Sequence, residues 1–171
     1  MRIHQFKMQF NAEEDRLQFQ LNTEDQKEFR FFMTRRYVGL LWPVVQKLLA
    51  EDLRRRSGAP PETAGEMLAF EREKTVQQTN FKQIYQEEAT EFPLGEAPLL
   101  LSRIQVKKAG GMQLLCLLPS DGRGIELPAT PAFLHPFCRL LKELSGKAQW
   151  NLQLMEPEPS AMGVPASRMV H

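Results

Sequence analysis

The sequence predicts an α+β protein of two β-β-β-α repeats, antiparallel sheet covered by helices, with an additional helical connector and a closing C-terminal strand. Three observations carry that expectation. Residues 3–56 and 99–147 present the same order of apolar signals at an offset of about 96 positions. Within each copy, period-two alternation gives way to helical spacing just after a threonine, Thr34 or Thr130, the signature of strands feeding a capped helix. Between the copies lies a polar, acidic stretch, 57–97, rich in helix formers at its start and in prolines at its end.

In the first unit, 1–56, the polar clusters 11–15 and 22–27 separate three alternating runs. They form a three-strand meander. Alternation places Phe6, Met8, Phe10, Leu17, Phe19, Leu21, Phe29, Phe31 and Met33 on one face. Gln5, Lys7, Gln9, Arg16, Gln18, Gln20, Glu28 and Arg30 fall on the other, and the helix that follows is available to cover the apolar side. That helix starts at Thr34 and carries Tyr37, Leu41, Val44, Val45, Leu48 and Leu49 on one stripe. Pro43 would press on the carbonyl of Gly39 and kink it. Arg54, Arg55 and Arg56 sit against the negative end of its dipole, which accounts for them without a ligand.

The connector, 57–97, opens with Ser57-Gly58-Ala59-Pro60-Pro61, continues as a helix from about Glu62 to Thr79, is ambiguous over 81–85, and ends in an extended loop bounded by Pro93 and Pro98. The second unit, 98–155, has strands at about 99–107, 111–118 and 125–127. Its helix begins at Thr130 with proline in the first position, a start signal, and alternation over 149–154 suggests the closing strand. Aligning the copies with one deletion in the first turn puts Met112, Leu114 and Cys116 on the core face. That leaves Leu115 and Leu117 pointing outward as a partner contact. Three prolines and no periodicity mark 156–171 as a disordered tail.

Composition excludes more than it proposes. The formal charge of +1 hides a segregation: 11 basic and 8 acidic residues in 1–56, 3 and 8 in 57–97, and 7 and 3 in 98–154. Basic repeats flank an acidic connector, an arrangement suited to a polyanion whose access the connector controls, or to an ordinary solvated surface. The N-terminus lacks a signal-peptide run and no apolar stretch reaches membrane-span length, so a cytoplasmic location is expected. Cys116 and Cys138 suit buried thiols better than a disulfide framework. Gly146-Lys147 lacks the upstream glycine of a phosphate loop, and His4, His135 and His171 lack metal-ligand spacing, so no cofactor and no metal are expected. His135 and Cys138, one helical turn apart, lack a third member. Tyr85 with Glu87, Glu88 and Glu91 resembles an acid site only in composition, and a solvated face explains it as well.

The runs Arg16–Thr23, Glu28–Arg36 and Leu40–Pro43, with Pro93–Leu100, look like a family of small uncharacterised bacterial proteins, a resemblance that spans the chain to about Leu154 and implies no activity. Two meander-plus-helix repeats are also similar in outline to the Whirly and Pur-alpha class of single-strand nucleic-acid binders, which have four strands per repeat where three are counted here. The expectation is a non-enzymatic binding or adaptor protein, with self-association or a protein partner. The alternative is a single-stranded nucleic-acid binder using Lys7, Gln18, Gln20, Arg30, Arg103 and Lys107 on an exposed sheet face. An enzyme without a recognisable signature is third.

Overall fold

The computed structural model describes residues 2–58 and 60–157. The elements run β1 Ile3–Asn11, β2 Arg16–Thr23, β3 Glu28–Met33, α1 Arg35–Ser57, α2 Pro61–Gln78, β4 Leu99–Ala109, β5 Met112–Pro119, β6 Ile125–Pro128 and α3 Pro131–Lys147. The protein is α+β: the described residues form three helices and one open sheet of six strands in sequence order. Neighbouring strands are antiparallel except β3 and β4, which run parallel and pair only at Phe31 with Leu99 and Phe32 with Leu100. Of the expected tail, Glu156 and Pro157 are described, and 158–171 lie outside the described residues.

The two capping threonines behave differently. Thr34 Oγ1 accepts the Tyr37 amide at 3.1 Å, and α1 then continues through Pro43 to Gly58, whose φ of 64° supplies the left-handed C-cap. Thr130 makes no side-chain cap; its carbonyl instead takes the amides of Phe133 and Leu134. Proline in the first position already removes one orphan donor there.

Both α1 and α3 pack beyond their own strands. Phe133 and Phe137 of α3 meet Phe6 of β1 at ring-centroid distances of 5.2 and 6.4 Å, and Phe137 meets Phe19 of β2 edge-on at 5.3 Å. On the other side, α1 lies against β4, with the Tyr37 hydroxyl donating to the Arg103 carbonyl at 2.9 Å. The expectation that each helix covers the meander preceding it is therefore incomplete. One core cluster draws Leu17, Phe19, Phe31, Leu41, Val45, Leu115, Leu127, Phe137 and Leu141 from both halves.

Register corrects the faces assigned to β5. Phe19 pairs with Phe31 and Leu21 with Phe29; in the second half Leu115 pairs with Leu127 and Leu117 with Ile125. Those pairs stand 96 positions apart throughout, with no gap between β2 and β5. The difference lies in the first hairpin, where four residues separate Asn11 from Arg16 but only Gly110 and Gly111 separate Ala109 from Met112. The shortening is by two residues, which preserves the inward face, whereas the expected one-residue deletion would invert it. Leu115 and Leu117 are accordingly fully buried on the inward face rather than pointing outward as expected of a partner contact, while Met112 is about half exposed, at 48%.

The closing strand is also corrected. Residues 148–157 form no sheet pairs, because Gln149 and Asn151 both take left-handed backbone, at φ 57°. The segment instead packs across the fold with Trp150 buried in the core: Trp150 Nε1 donates to Asp15 of the β1–β2 turn at 2.8 Å, Trp42 Nε1 to the Met155 carbonyl at 2.7 Å, and Glu156 sits between Lys142 and Arg72 at 2.9 and 3.5 Å. Replacing Leu115 with alanine removes a fully buried side chain, so denaturant unfolding should show a loss of about 2–5 kcal/mol, whereas a surface leucine would change stability by roughly 0.5 kcal/mol or less.

Candidate functional site

Beyond α2 the chain forms no helix or paired strand until β4, save one bridge of Glu91 to Lys27. Over 84–92 it crosses the polar face of β1, β2 and β3, and the amide side chains there hold it. Gln5 Nε2 donates to the Ile84 carbonyl at 3.1 Å and Gln5 Oε1 accepts the Gln86 amide at 2.9 Å. One glutamine thus clasps the backbone on both sides of Tyr85. Asn22 Nδ2 donates to the Gln86 carbonyl at 3.1 Å while its Oδ1 accepts the Gln5 amide at 2.9 Å. Farther along, the Thr90 amide donates to the Gln26 carbonyl and the Glu28 amide to that of Glu91, both at 3.0 Å.

Beneath this strap lies a buried carboxylate. Glu28 is 1% exposed and accepts from the Tyr85 hydroxyl at 2.8 Å, Gln20 Nε2 at 3.0 Å and Arg30 Nε at 2.6 Å. Burying a charge is tolerable only when it is so satisfied. Burial, and the Glu28 carboxylate it donates to, push the Tyr85 phenol far above its usual value, so it remains a donor at any physiological pH. Lys7 Nζ lies 4.9 Å from the Tyr85 ring centroid and 3.1 Å from Glu87, and the Arg30 guanidinium lies 5.0 Å from the Phe92 ring centroid.

The face expected to be open is therefore largely closed. Gln20 is buried, Gln18 half-buried, and Lys7 and Arg30 are already engaged by the strap. Phe32 lies under the Arg16 guanidinium at 4.2 Å. Arg103 and Lys107 stand apart from these four, exposed on β4. Cys116 is buried, but on the polar face, between cross-strand neighbours Gln105 and Glu126 rather than in the core; burial, helped by the Glu126 carboxylate, raises its thiol. Cys138 is buried inside, its thiol raised by desolvation, and neither cysteine is in a disulfide.

What sequence reasoning missed is the outer edge of β4. After Leu100, β4 has a strand neighbour only in β5 among the described residues. From Gln105 to Ala109 every residue is exposed, Val106 at 44%. An eleven-residue strand beside a six-residue one necessarily overhangs it, and the two glycines at the tip allow the tight turn that extends the overhang. Lys107 is ion-paired across β5 to Glu126 of β6, and Arg55 reaches the Gly111 carbonyl from α1 at 3.4 Å.

Two concavities lie elsewhere. A cleft of about 590 Å³ between α2 and α3 is lined by Arg72, His135, Arg139, Lys142 and Glu156, and a groove of about 1000 Å³ separates β1 from β6 over Phe6, Leu114, Ile125 and Phe133. Tyr85 borders a third cleft and Glu88 a shallow fourth, so the residues considered for an acid site do not converge with His135. His135 is buried with Nε2 3.3 Å from Glu71, and desolvation holds its pKa below the ordinary value despite that carboxylate. No group of three histidine, cysteine or acidic side chains able to hold a metal occurs among the described residues, and no helix there is long and apolar enough to cross a membrane. Comparison with known proteins returns nothing: no family model, no curated protein and no solved structure matches the chain. Function must be argued from geometry.

Two measurements check this account. Glu28→Ala strands Tyr85, Gln20 and Arg30 together, and denaturant unfolding should show a loss of about 3–5 kcal/mol, with Glu28→Gln retaining part of it. Because the folded pKa of His135 lies below the unfolded value of 6.5, the unfolded chain takes up the proton first as pH falls. The His135 contribution is thus present above about pH 6.5 and is lost below it; the unfolding midpoint should drop between about pH 7 and pH 5, less steeply in His135→Gln.

Proposed function

We propose that this is a non-enzymatic binding protein that takes an extended, acidic protein segment by strand addition along β4. The observation that carries this reading is the unpaired outer edge of β4 beyond Arg103, exposed through Ala109 and basic at Arg103, Lys107 and Lys108. Strand edges left with free amides and carbonyls recruit another strand unless blunted, and lysines commonly do the blunting. A lysine-bearing edge also selects. Antiparallel pairing with a second copy about Gln105 would set Arg103 against Lys107 twice, a like-charge arrangement that weakens the pair, whereas glutamates at those positions would strengthen it. Self-association is better served by the groove between β1 and β6, where apolar Phe6, Leu114, Ile125 and Phe133 lie between Arg2, Glu24 and Glu126 of mixed sign.

A second reading, a single-stranded nucleic-acid binder, draws on the same exposed Arg103, Gln105, Lys107 and Lys108 rather than on the strap-covered face. Salt separates the two, since phosphate contacts release counterions and weaken steeply with ionic strength. Fluorescence anisotropy with a labelled nonapeptide alternating glutamate and valine should show saturable binding, weakened about tenfold, or 1.4 kcal/mol, by Arg103→Glu with Lys108→Glu. Absence of peptide binding at low salt, with steep salt-dependent binding of a single-stranded oligonucleotide instead, would favour the second reading. Sedimentation in the same buffers reports self-association.

A further inference from the structure

The strap over the polar face of β1–β3 is held unlike the rest of the chain. No residue of 79–93 belongs to the core cluster or to the apolar shell packed on it, and Ile84 is 83% exposed. What fixes the segment is recognition by side chains. The Gln5 amide makes to Ile84 and Gln86 the paired donor and acceptor contacts that an adjacent strand would make, and Asn22 adds a third backbone contact. Two side chains are read as well: the Tyr85 ring lies beside Lys7 with its hydroxyl on buried Glu28, and Glu87 meets Lys7 from above. Phe92 under Arg30 marks a third position. Backbone clasp, aromatic slot and cation for a carboxylate together are the parts of a peptide-binding site.

We propose that the polar face of β1–β3 is a recognition site for extended acidic peptides carrying an aromatic residue two positions before a glutamate, and that residues 84–92 occupy it in cis. This site is distinct from the β4 edge, and neither depends on the other. The occupant it fits is a peptide rather than a nucleic acid, because Gln5 and Asn22 engage backbone carbonyls and amides, and because the buried Glu28 carboxylate beneath the slot suits a phenol donor and opposes a phosphate. A segment tethered at both ends competes at millimolar effective concentration, so a partner binds only to the extent that the strap is open, with affinity reduced by the closed fraction.

The test uses the full chain and a fluorescein-labelled peptide of residues 80–92. Tyr85→Ser with Glu87→Ser loosens the strap while leaving Gln5, Lys7, Asn22 and Glu28 in place. This variant should bind the peptide at least about tenfold more tightly than the wild type, and adding Lys7→Glu should abolish the gain. If the double variant keeps its circular dichroism spectrum and cooperative melting yet binds no peptide, or binds single-stranded oligonucleotides in its place, the proposal fails. Should it not fold, hydrogen exchange of the wild type decides. The amides of Gln86 and Thr90, both bonded to the sheet, should exchange through local opening far faster than those of β2; exchange only by global unfolding would make the strap a fixed part of the fold and end the proposal.

Discussion

The packing of α3 on the strands of the opposite half is the constraint on which the rest of this structure depends. Phe133 and Phe137 stack at 5.4 Å and meet Phe6 and Phe19, so α3 completes the first meander. Aromatic contacts at these distances add to the area they bury. Because α1 lies against β4 in return, neither half can close its core alone. The sheet has to be continuous across β3 and β4, yet two residue pairs suffice to join them, since the helices already lock the halves together.

That economy at the junction has a consequence for surface chemistry. Where β4 runs past β3 its outer edge has no strand neighbour among the described residues, and Arg103, Lys107 and Lys108 make that length basic. On β3 the unpaired length is met instead by the end of the strap, through Glu91 and Arg30. One half of the sheet thus covers its polar face and its edge with the acidic connector, and the other leaves both open. Charge segregation along the chain, basic halves around an acidic link, brings Glu87 of the strap to within 3.1 Å of Lys7, although Glu87 itself stays exposed.

Much of the fold was legible because alternation and capping are local. The three strands of the first half, the Thr34 cap, the span of α2, and the proline-bounded loop before β4 follow from residues within a few positions of one another. The face of β5 was not legible in that way. Its strand, Met-Gln-Leu-Leu-Cys-Leu-Leu-Pro, is apolar on both sides, so alternation could not choose between Leu114 with Cys116 and Leu115 with Leu117; only pairing to Ile125 and Leu127 chooses. The alternating stretch after Ala148 reads as a strand, but Gln149 and Asn151 turn left-handed so that Trp150 can reach Asp15, and the ladder has no place for it.

By itself the sequence determined an α+β protein with two β-β-β-α runs, which residues of the first meander face inward, and an acidic link between basic halves. Those properties depend on side-chain period and on charge, both readable one residue at a time. Tertiary structure decided that the glutamine-rich face holds the chain's own connector, that Gln20 and Glu28 are buried, and that the exposed basic residues lie on the overhanging β4. Each of those follows from where distant segments meet: a glutamine facing away from the core is exposed only if nothing crosses it, and here residues more than sixty positions away in sequence do.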